Sequence, residues 1–339
     1  PINEILDRGL HFKLRGYEYH TYLDFHVVHA TPAQDYRSLY NFIGNKGIPD
    51  VDQALRELIL KPIQEPYRAI VNPGYMGYLA EKYADGKKIE QLDENEIKQK
   101  IKNFLAGISH QLNKSMPGRD LADEIYRLFI TSLHLKSLVT NLSGPKSDKM
   151  KELNEFLLEP LDENEKIRQT LMVWALCSQI GKISEIDAFE DLSNAWMDEW
   201  QLAKPLSETL KDQGCGDDEV NEQRLLLRLG IAQQDWFENS RRVPFDVLVK
   251  NWLSDPEIQT FLRVNRYQGV LWYNREAFDK FTWWMSLIPL IKALSQPSTG
   301  RTEVVEMMLN LYEIIAGLKK IERKSDYEFE KLFELIRSK

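Results

Sequence analysis

Aromatic rings interleaved with amide and guanidinium groups can grip sugar rings or an extended peptide, and one segment of this 339-residue chain carries them densely. In Phe261 to Trp284, FLRVNRYQGVLWYNREAFDKFTWW, the candidate ligand contacts are Asn265, Arg266, Tyr267, Gln268, Trp272 and Tyr273. Rings supply apolar faces, while amides and guanidinium groups meet hydroxyls. The competing use of the same residues is a helix–turn–helix corner, its rings in the core and its Asn and Gln satisfying backbone groups. Asn274 also suits the N-cap of a helix starting at Arg275.

Other chemistry finds less support. His11, His20, His26 and His29 lie close in sequence, but on a regular strand His20 and His26 stand ~20 Å apart. Metal–nitrogen bonds are ~2 Å, so no metal site is expected there. A hydrolytic carboxylate pair needs two acids ~5–10 Å apart in contrasting environments. Asp187, Glu190 and Asp191, and Asp198 with Glu199, read instead as solvated faces of helices that bury Phe189, Leu192, Trp196 and Trp200. There is no Gly-x-Ser-x-Gly elbow and no phosphate loop, and Cys215 between two glycines lacks an elbow's context. The chain itself is therefore not expected to be an enzyme or to need a cofactor.

A net charge of −8 with only short basic runs, Lys87-Lys88 and Arg241-Arg242, argues against a nucleic-acid partner. Two cysteines encode no disulfide framework, which fits a reducing, cytoplasmic setting. Phe281 to Leu294 is the most apolar stretch, but it holds Pro289 and Lys292 and falls short of the ~20 residues of a membrane span. It reads as a buried core helix. The start at Pro1, without an initiator Met or an apolar leader, is read as a cut within a longer polypeptide.

These residues must be positioned by helices. Only Leu10 to Val28 alternates with period two, through Tyr17, Tyr19, Thr21, Leu23, Phe25 and Val27, which predicts a β-hairpin turning at Arg15-Gly16. After Thr31-Pro32 the pattern is helical. Asp50 and Asp93 are candidate caps, and Lys61-Pro62 and Glu159-Pro160 are expected helix stops. Gly214 to Asp218 is an expected hinge, and Thr302 to Arg337 reads as one helix with an apolar stripe from Val304 through Met307, Met308, Leu311, Ile314, Ile315 and Leu318. The predicted fold is mainly α, an irregular multi-helix array with a short N-terminal hairpin. Its segments are 1–31 as hairpin, 32–213 as helical region A and 214–339 as helical region B, the last two open to forming one continuous domain.

The stretch Leu14 to Phe25, LRGYEYHTYLDF, resembles the closing strand of the small β-domain that follows the catalytic barrel in α-amylase-type glycoside hydrolases. Asp52 to Leu60 (DQALRELIL), Gln234-Asp235-Trp236-Phe237 and Val264 to Asn274 (VNRYQGVLWYN) look like the helical C-terminal extension of large bacterial α-amylase-like proteins. Those enzymes use an Asp nucleophile in a Gly-x-Arg-x-Asp segment, a Glu acid/base and an Asp beside a His; this chain has no matching segment, since Gly118-Arg119-Asp120 lacks the rest, and no His-Asp pair. The resemblance implies a non-catalytic accessory domain acting with an upstream barrel of the same polypeptide, with an α-glucan or a second copy of the chain as further partners. The alternative is a helical protein–protein module, unrelated to carbohydrate, that uses the stripe of Thr302 to Arg337.

Overall fold

Helical periodicity sets most of the local structure, and side chains cap several of the helix starts. The computed structural model describes residues 2–9, 13–17, 19, 21, 23, 27–31, 35–44, 47–116, 118–142, 148–162 and 165–336. The chain is mainly α-helical, as its periodicity predicts, with one small antiparallel sheet. It divides into two compact units, residues 1–61 and 62–339.

In the first unit, Asp35 caps α2 (Tyr36–Ile43) by accepting from the Ser38 amide at 3.0 Å. Asp50 caps the start of α3 (Val51–Arg68), accepting from Gln53 N at 3.0 Å, as its spacing predicts. A small core gathers Leu39, Ala54 and Leu55. A helix, α1, covers Ile2–Arg8. The predicted hairpin lies partly outside the described residues, which omit Leu10, Glu18, His20, Tyr22, Asp24 and Phe25. Gly16 and Tyr17 do form a turn, with Tyr17 at φ 68°, but the described residues around it form no strand. Tyr17, Tyr19, Leu23 and Val27 are exposed, and an alternating pattern becomes a strand only where a neighbour takes its backbone bonds.

In the second unit the prolines behave unlike simple stops. Helix α3 runs through Pro62 and Pro66, and α7 (Asp148–Asp162) runs through Pro160. Pro66 removes the donor that would meet the Pro62 carbonyl, and Gly107 of α5 (Gln91–Gln111) packs against that carbonyl so closely that an added Cβ would lie 2.1 Å from it. Tertiary packing thus holds a helix that local rules would end. The N-cap position of α5 is Glu90, not Asp93. Asp93 is buried in the first turn, where it accepts from the hydroxyls of Tyr78 and Tyr83 and from Lys82 Nζ; these three donors hold its carboxyl below the usual range, the Tyr83 hydroxyl most strongly.

Helices on either side of Gly214 belong to the same unit. α8 (Glu165–Cys177) is tied to α11 (Asp217–Ala232) by Lys166–Glu219 at 2.9 Å, Thr170–Gln223 at 2.8 Å and a bond from Trp174 Nε1 to Gly230 O at 3.0 Å. Around them lie α6 (Arg119–Leu142), α9 (Phe189–Glu199) and α10 (Ala203–Asp212). Helix α15 (Arg275–Ser295) is buried on every side from Phe281 to Ile291, and no described helix is long and apolar enough to cross a membrane. Pro289 interrupts α15 and leaves the Met285 carbonyl without its helical donor; Trp236 Nε1, in α12 (Trp236–Asn239), donates to that oxygen at 2.8 Å.

Replacing that indole isolates the effect. Trp236→Phe leaves the buried carbonyl unpaired and is expected to lower stability by about 1–3 kcal/mol. Adding Pro289→Ala restores a backbone donor to Met285, so the double variant should melt above Trp236→Phe alone. Thermal unfolding of the three proteins checks this, and a double variant no more stable than the single one removes the assignment.

Candidate functional site

The segment singled out for ligand contact folds as a β-hairpin between α14 (Pro256–Phe261) and α15, not as a helical corner. Strand β1 (Asn265–Tyr267) pairs antiparallel with β2 (Val270–Trp272), Asn265 opposite Trp272 and Tyr267 opposite Val270. Gln268 and Gly269 form the two-residue turn with φ of 49° and 84°, the positive pair that suits the twist of a tight hairpin. The hairpin is anchored through Tyr273, whose amide donates to Tyr327 O at 3.1 Å and whose buried hydroxyl pairs with Ser325 Oγ at 2.6 Å. Asp326 and Tyr327 adopt positive φ, ending α16 (Arg301–Lys324) before α17 (Phe329–Leu335) and breaking the single long helix predicted for Thr302 to Arg337.

The fold therefore brings the predicted contact residues together and engages their polar atoms in the hairpin and its supports, Arg266 also lying 3.9 Å from Glu330 of α17. Arg266 Nη1 donates to Gly269 O at 2.8 Å, Trp272 Nε1 to Tyr267 O at 3.3 Å, Gln268 Nε2 to the Tyr267 hydroxyl at 3.3 Å and Asn265 Nδ2 to Arg263 O at 2.9 Å. The concave surface lies immediately beside them. A cleft of about 620 Å³ is lined by Arg263 and Asn274, the two residues that flank the hairpin, and by Glu276, Asp279, Lys280 and Trp283 of α15. Phe156, Glu159 and Pro160 of α7 contribute to its lining, with Glu222 of α11 and Lys319 of α16. That volume lies within the usual range of small-molecule sites.

Each element has a local reason for its place. Asn274 Oδ1 accepts from Ala277 N at 2.7 Å and so caps α15, as predicted, fixing the first turn that carries Glu276 and leads into Asp279 and Lys280. Arg263 takes φ of 56°, a left-handed conformation that closes α14 and turns the chain into the hairpin. Trp283 is buried and donates through Nε1 to Leu157 O at 3.2 Å, tying α15 to α7. Lys280 pairs with Glu222, and Lys319 Nζ lies 3.1 Å from Asp279 and 4.8 Å from the centre of the Phe156 ring. The cleft thus offers aromatic and aliphatic surface bordered by matched charges. Of its carboxylates, Glu222 and Asp279 are each clasped by a lysine, and Glu159 and Glu276 line it as well.

A second polar cluster escaped the sequence pattern. Glu190, read as part of a solvated helix face, is half-buried beside Asp235, and Lys292 pairs with Asp235 and lies 3.3 Å from Glu238. Burial, and then the hydrogen bond with Asp235, push the Glu190 carboxyl up to about 7. Burial also works to raise Asp235, but the Glu190 hydrogen bond and the Lys292 ammonium outweigh it and hold Asp235 low. The two acids are far apart in sequence, so no local spacing reveals them. Beside them Gln179 Nε2 donates to Gln234 Oε1 at 2.6 Å, and Gln234 Nε2 to Ser178 O at 3.0 Å.

Among the described residues no group of three His, Cys, Asp or Glu side chains could hold a metal ion; His11, His20 and His26 lie outside those residues. The arginines find structural partners: Arg68 pairs with Glu208, and Arg228 with Asp198 and with Glu257 at 2.7 Å. On α16, Val304, Met308, Leu311, Ile315 and Leu318 are buried within the chain's own second unit.

An acid whose folded value lies above its unfolded one stabilises the fold least at high pH. The contribution of Glu190 should therefore be intact below about pH 4.5 and fall away as pH rises towards 7. Glu190→Gln removes this penalty, so its melting temperature is expected to exceed that of the parent by roughly 2–5 °C at pH 8 and to match it near pH 4.5. Differential scanning calorimetry across that range reads the difference, and equal gaps at both pH values would refute the assignment. Compared with protein families, curated proteins and solved structures, the chain matches none, so its own geometry carries the functional reading.

Proposed function

We propose that the chain is a non-catalytic helical accessory region of an α-amylase-like glycoside hydrolase and that its cleft holds part of an α-glucan chain. The observation that carries this reading is the cleft beside the hairpin, where Phe156 and Pro160 supply apolar surface and Asn274, Arg263 and the Lys280–Glu222 pair supply donors and acceptors. Sugar hydroxyls both donate and accept, so they can be matched by neighbouring groups of opposite character without a net charge. The clasped carboxylates favour holding a sugar over cleaving it. The similarity of Val264 to Asn274 to the α-amylase-like extension points to the same part of the chain.

A second role is favoured by a separate observation. Ile5, Leu6, Tyr17, Tyr19, Tyr40 and Phe42 are large, apolar and exposed in the first unit, a supply of apolar surface that another protein could cover. The upstream barrel implied by the resemblance, or a second copy of the chain, would take that place.

Calorimetric titration with maltoheptaose tests the sugar reading. Binding is expected with Kd in the millimolar to submillimolar range, and Phe156→Ala and Lys280→Ala should each weaken it about tenfold, or ~1.4 kcal/mol. Absence of heat at ten millimolar sugar, in a folded protein, removes the proposal.

A further inference from the structure

Charge sets one hollow of the second unit apart. The chain carries a net charge of −8, and the cleft beside the hairpin has four acids among its lining residues against three cations. A cavity of about 430 Å³ bordered by α12, α15 and α16 likewise has three acids against two cations. A depression of about 300 Å³ between α7 and α16 reverses the balance, with Lys319, Lys320 and Arg323 against Glu152 alone. Clefts lined mainly by one sign of charge focus the field and gather ions of the other sign.

Two of these cations have no competing ion pair. Among the described residues no carboxylate comes within ion-pair distance of Lys320 or Arg323, whereas Lys319 is held by Asp279 at 3.1 Å. Arg323 and Lys319 also lie in the field of the buried Glu322. The acid of the depression, Glu152, accepts from the Tyr312 hydroxyl at 2.5 Å and is thereby tied to one wall. Cations in a last turn complement the helix dipole, which accounts for Arg323 and Lys324. It does not account for Lys320, a turn earlier, which opens on the same hollow. Tyr312, Ile315 and Ala316 give the depression an apolar wall.

We propose that this depression binds a small organic phosphate monoester, its phosphate between Lys320 and Arg323 and its apolar body against the Tyr312 wall. A phosphate monoester carries about −1.5 to −2 charge at pH 7, which matches two unpaired cations. A guanidinium fork and a mobile ammonium suit its oxygens. The volume stands at the lower end of small-molecule sites, roughly 300 Å³, so the body is about one ring in size. The site is separate from the sugar reading of the cleft and stands or falls without it.

Calorimetric titration of the full chain at low salt with phenyl phosphate, inorganic phosphate and phenol is the test. Phenyl phosphate is expected to bind with a Kd of about one millimolar, several-fold more tightly than inorganic phosphate, and phenol to give no heat. Lys320→Gln and Arg323→Gln, on an exposed helix face and close in helix propensity, should each weaken phenyl phosphate about fivefold. Lys324→Gln removes the same charge from the same helix end but outside the depression, and should leave the affinity unchanged. Circular dichroism verifies the fold of each variant. No heat from phenyl phosphate at ten millimolar, equal affinities for phenyl phosphate and inorganic phosphate, or as large a loss from Lys324→Gln as from Arg323→Gln overturns the site. So does binding only to vesicles that contain phosphatidic acid, which assigns these cations to a lipid surface instead.

Discussion

A proline within the buried stretch of α15 sets the constraint that the second unit is built around. Pro289 deprives the Met285 carbonyl of its partner where no water reaches it, and an unpaired buried carbonyl costs about as much as a hydrogen bond to leave alone. The indole of Trp236 fills the gap at 2.8 Å and is itself boxed in by Trp252, whose ring centre lies 5.1 Å away, with Phe281 of α15 at 5.6 Å from Trp252. This aromatic group fixes how α15 passes α12 and α13 (Phe245–Ser254). With α15 fixed, the Trp283 bond to α7 and the close approach of Gly230 to Trp284 leave α7 and α11 little freedom to shift. The charged first turns of α15 line the cleft, carried by the helix whose buried stretch these contacts hold.

The class of fold was legible because periodicity records burial, and most helices here bury one face. Caps were legible where the capping side chain acts on its own helix, as Asp50 and Asn274 do. What could not be read from local rules depends on groups distant in the chain. Pro62 and Pro66 look like stops, yet Gly107 of another helix packs on the freed carbonyl. Asp93 has the residue type of a cap but answers to Tyr78, Lys82 and Tyr83 instead. Alternation at Leu10 to Val28 promises a strand only if another strand stands beside it, and the described residues there form none, whereas the sheet that does form rests on three residues a side and a Gln-Gly turn.

The site follows the same division. The segment from Phe261 to Trp284, whose density of rings and amides is visible in composition, contributes Arg263, Asn274 and part of α15 to the cleft. The particular residues were displaced: the hairpin uses its own Arg266, Gln268 and Trp272 internally, and the open surface falls to Arg263, Asn274 and the turns that follow. Phe156, Glu222 and Lys319 come from three other helices and carry no local mark of the role, since a half-buried Phe on an amphipathic helix has the same pattern whether it faces a core or a groove.

The acids of the cleft stand apart from the carboxyl pair that burial and hydrogen bonding push in opposite directions. Catalysis by carboxyl groups needs one acid kept protonated by apolar surroundings and another kept free, their environments pushing them apart. The chain does contain a pair pushed apart in this way, Glu190 and Asp235, but it is coupled to Lys292 and packed against the Gln179–Gln234 network, on α9 and the turn before α12. None of these residues lines the cleft. In the cleft itself, Glu222 meets Lys280 and Asp279 meets Lys319, while Glu159 and Glu276 also line it. The two ion pairs leave short-range hydrogen bonding and ring contact as the means of recognition on which the proposed sugar reading depends.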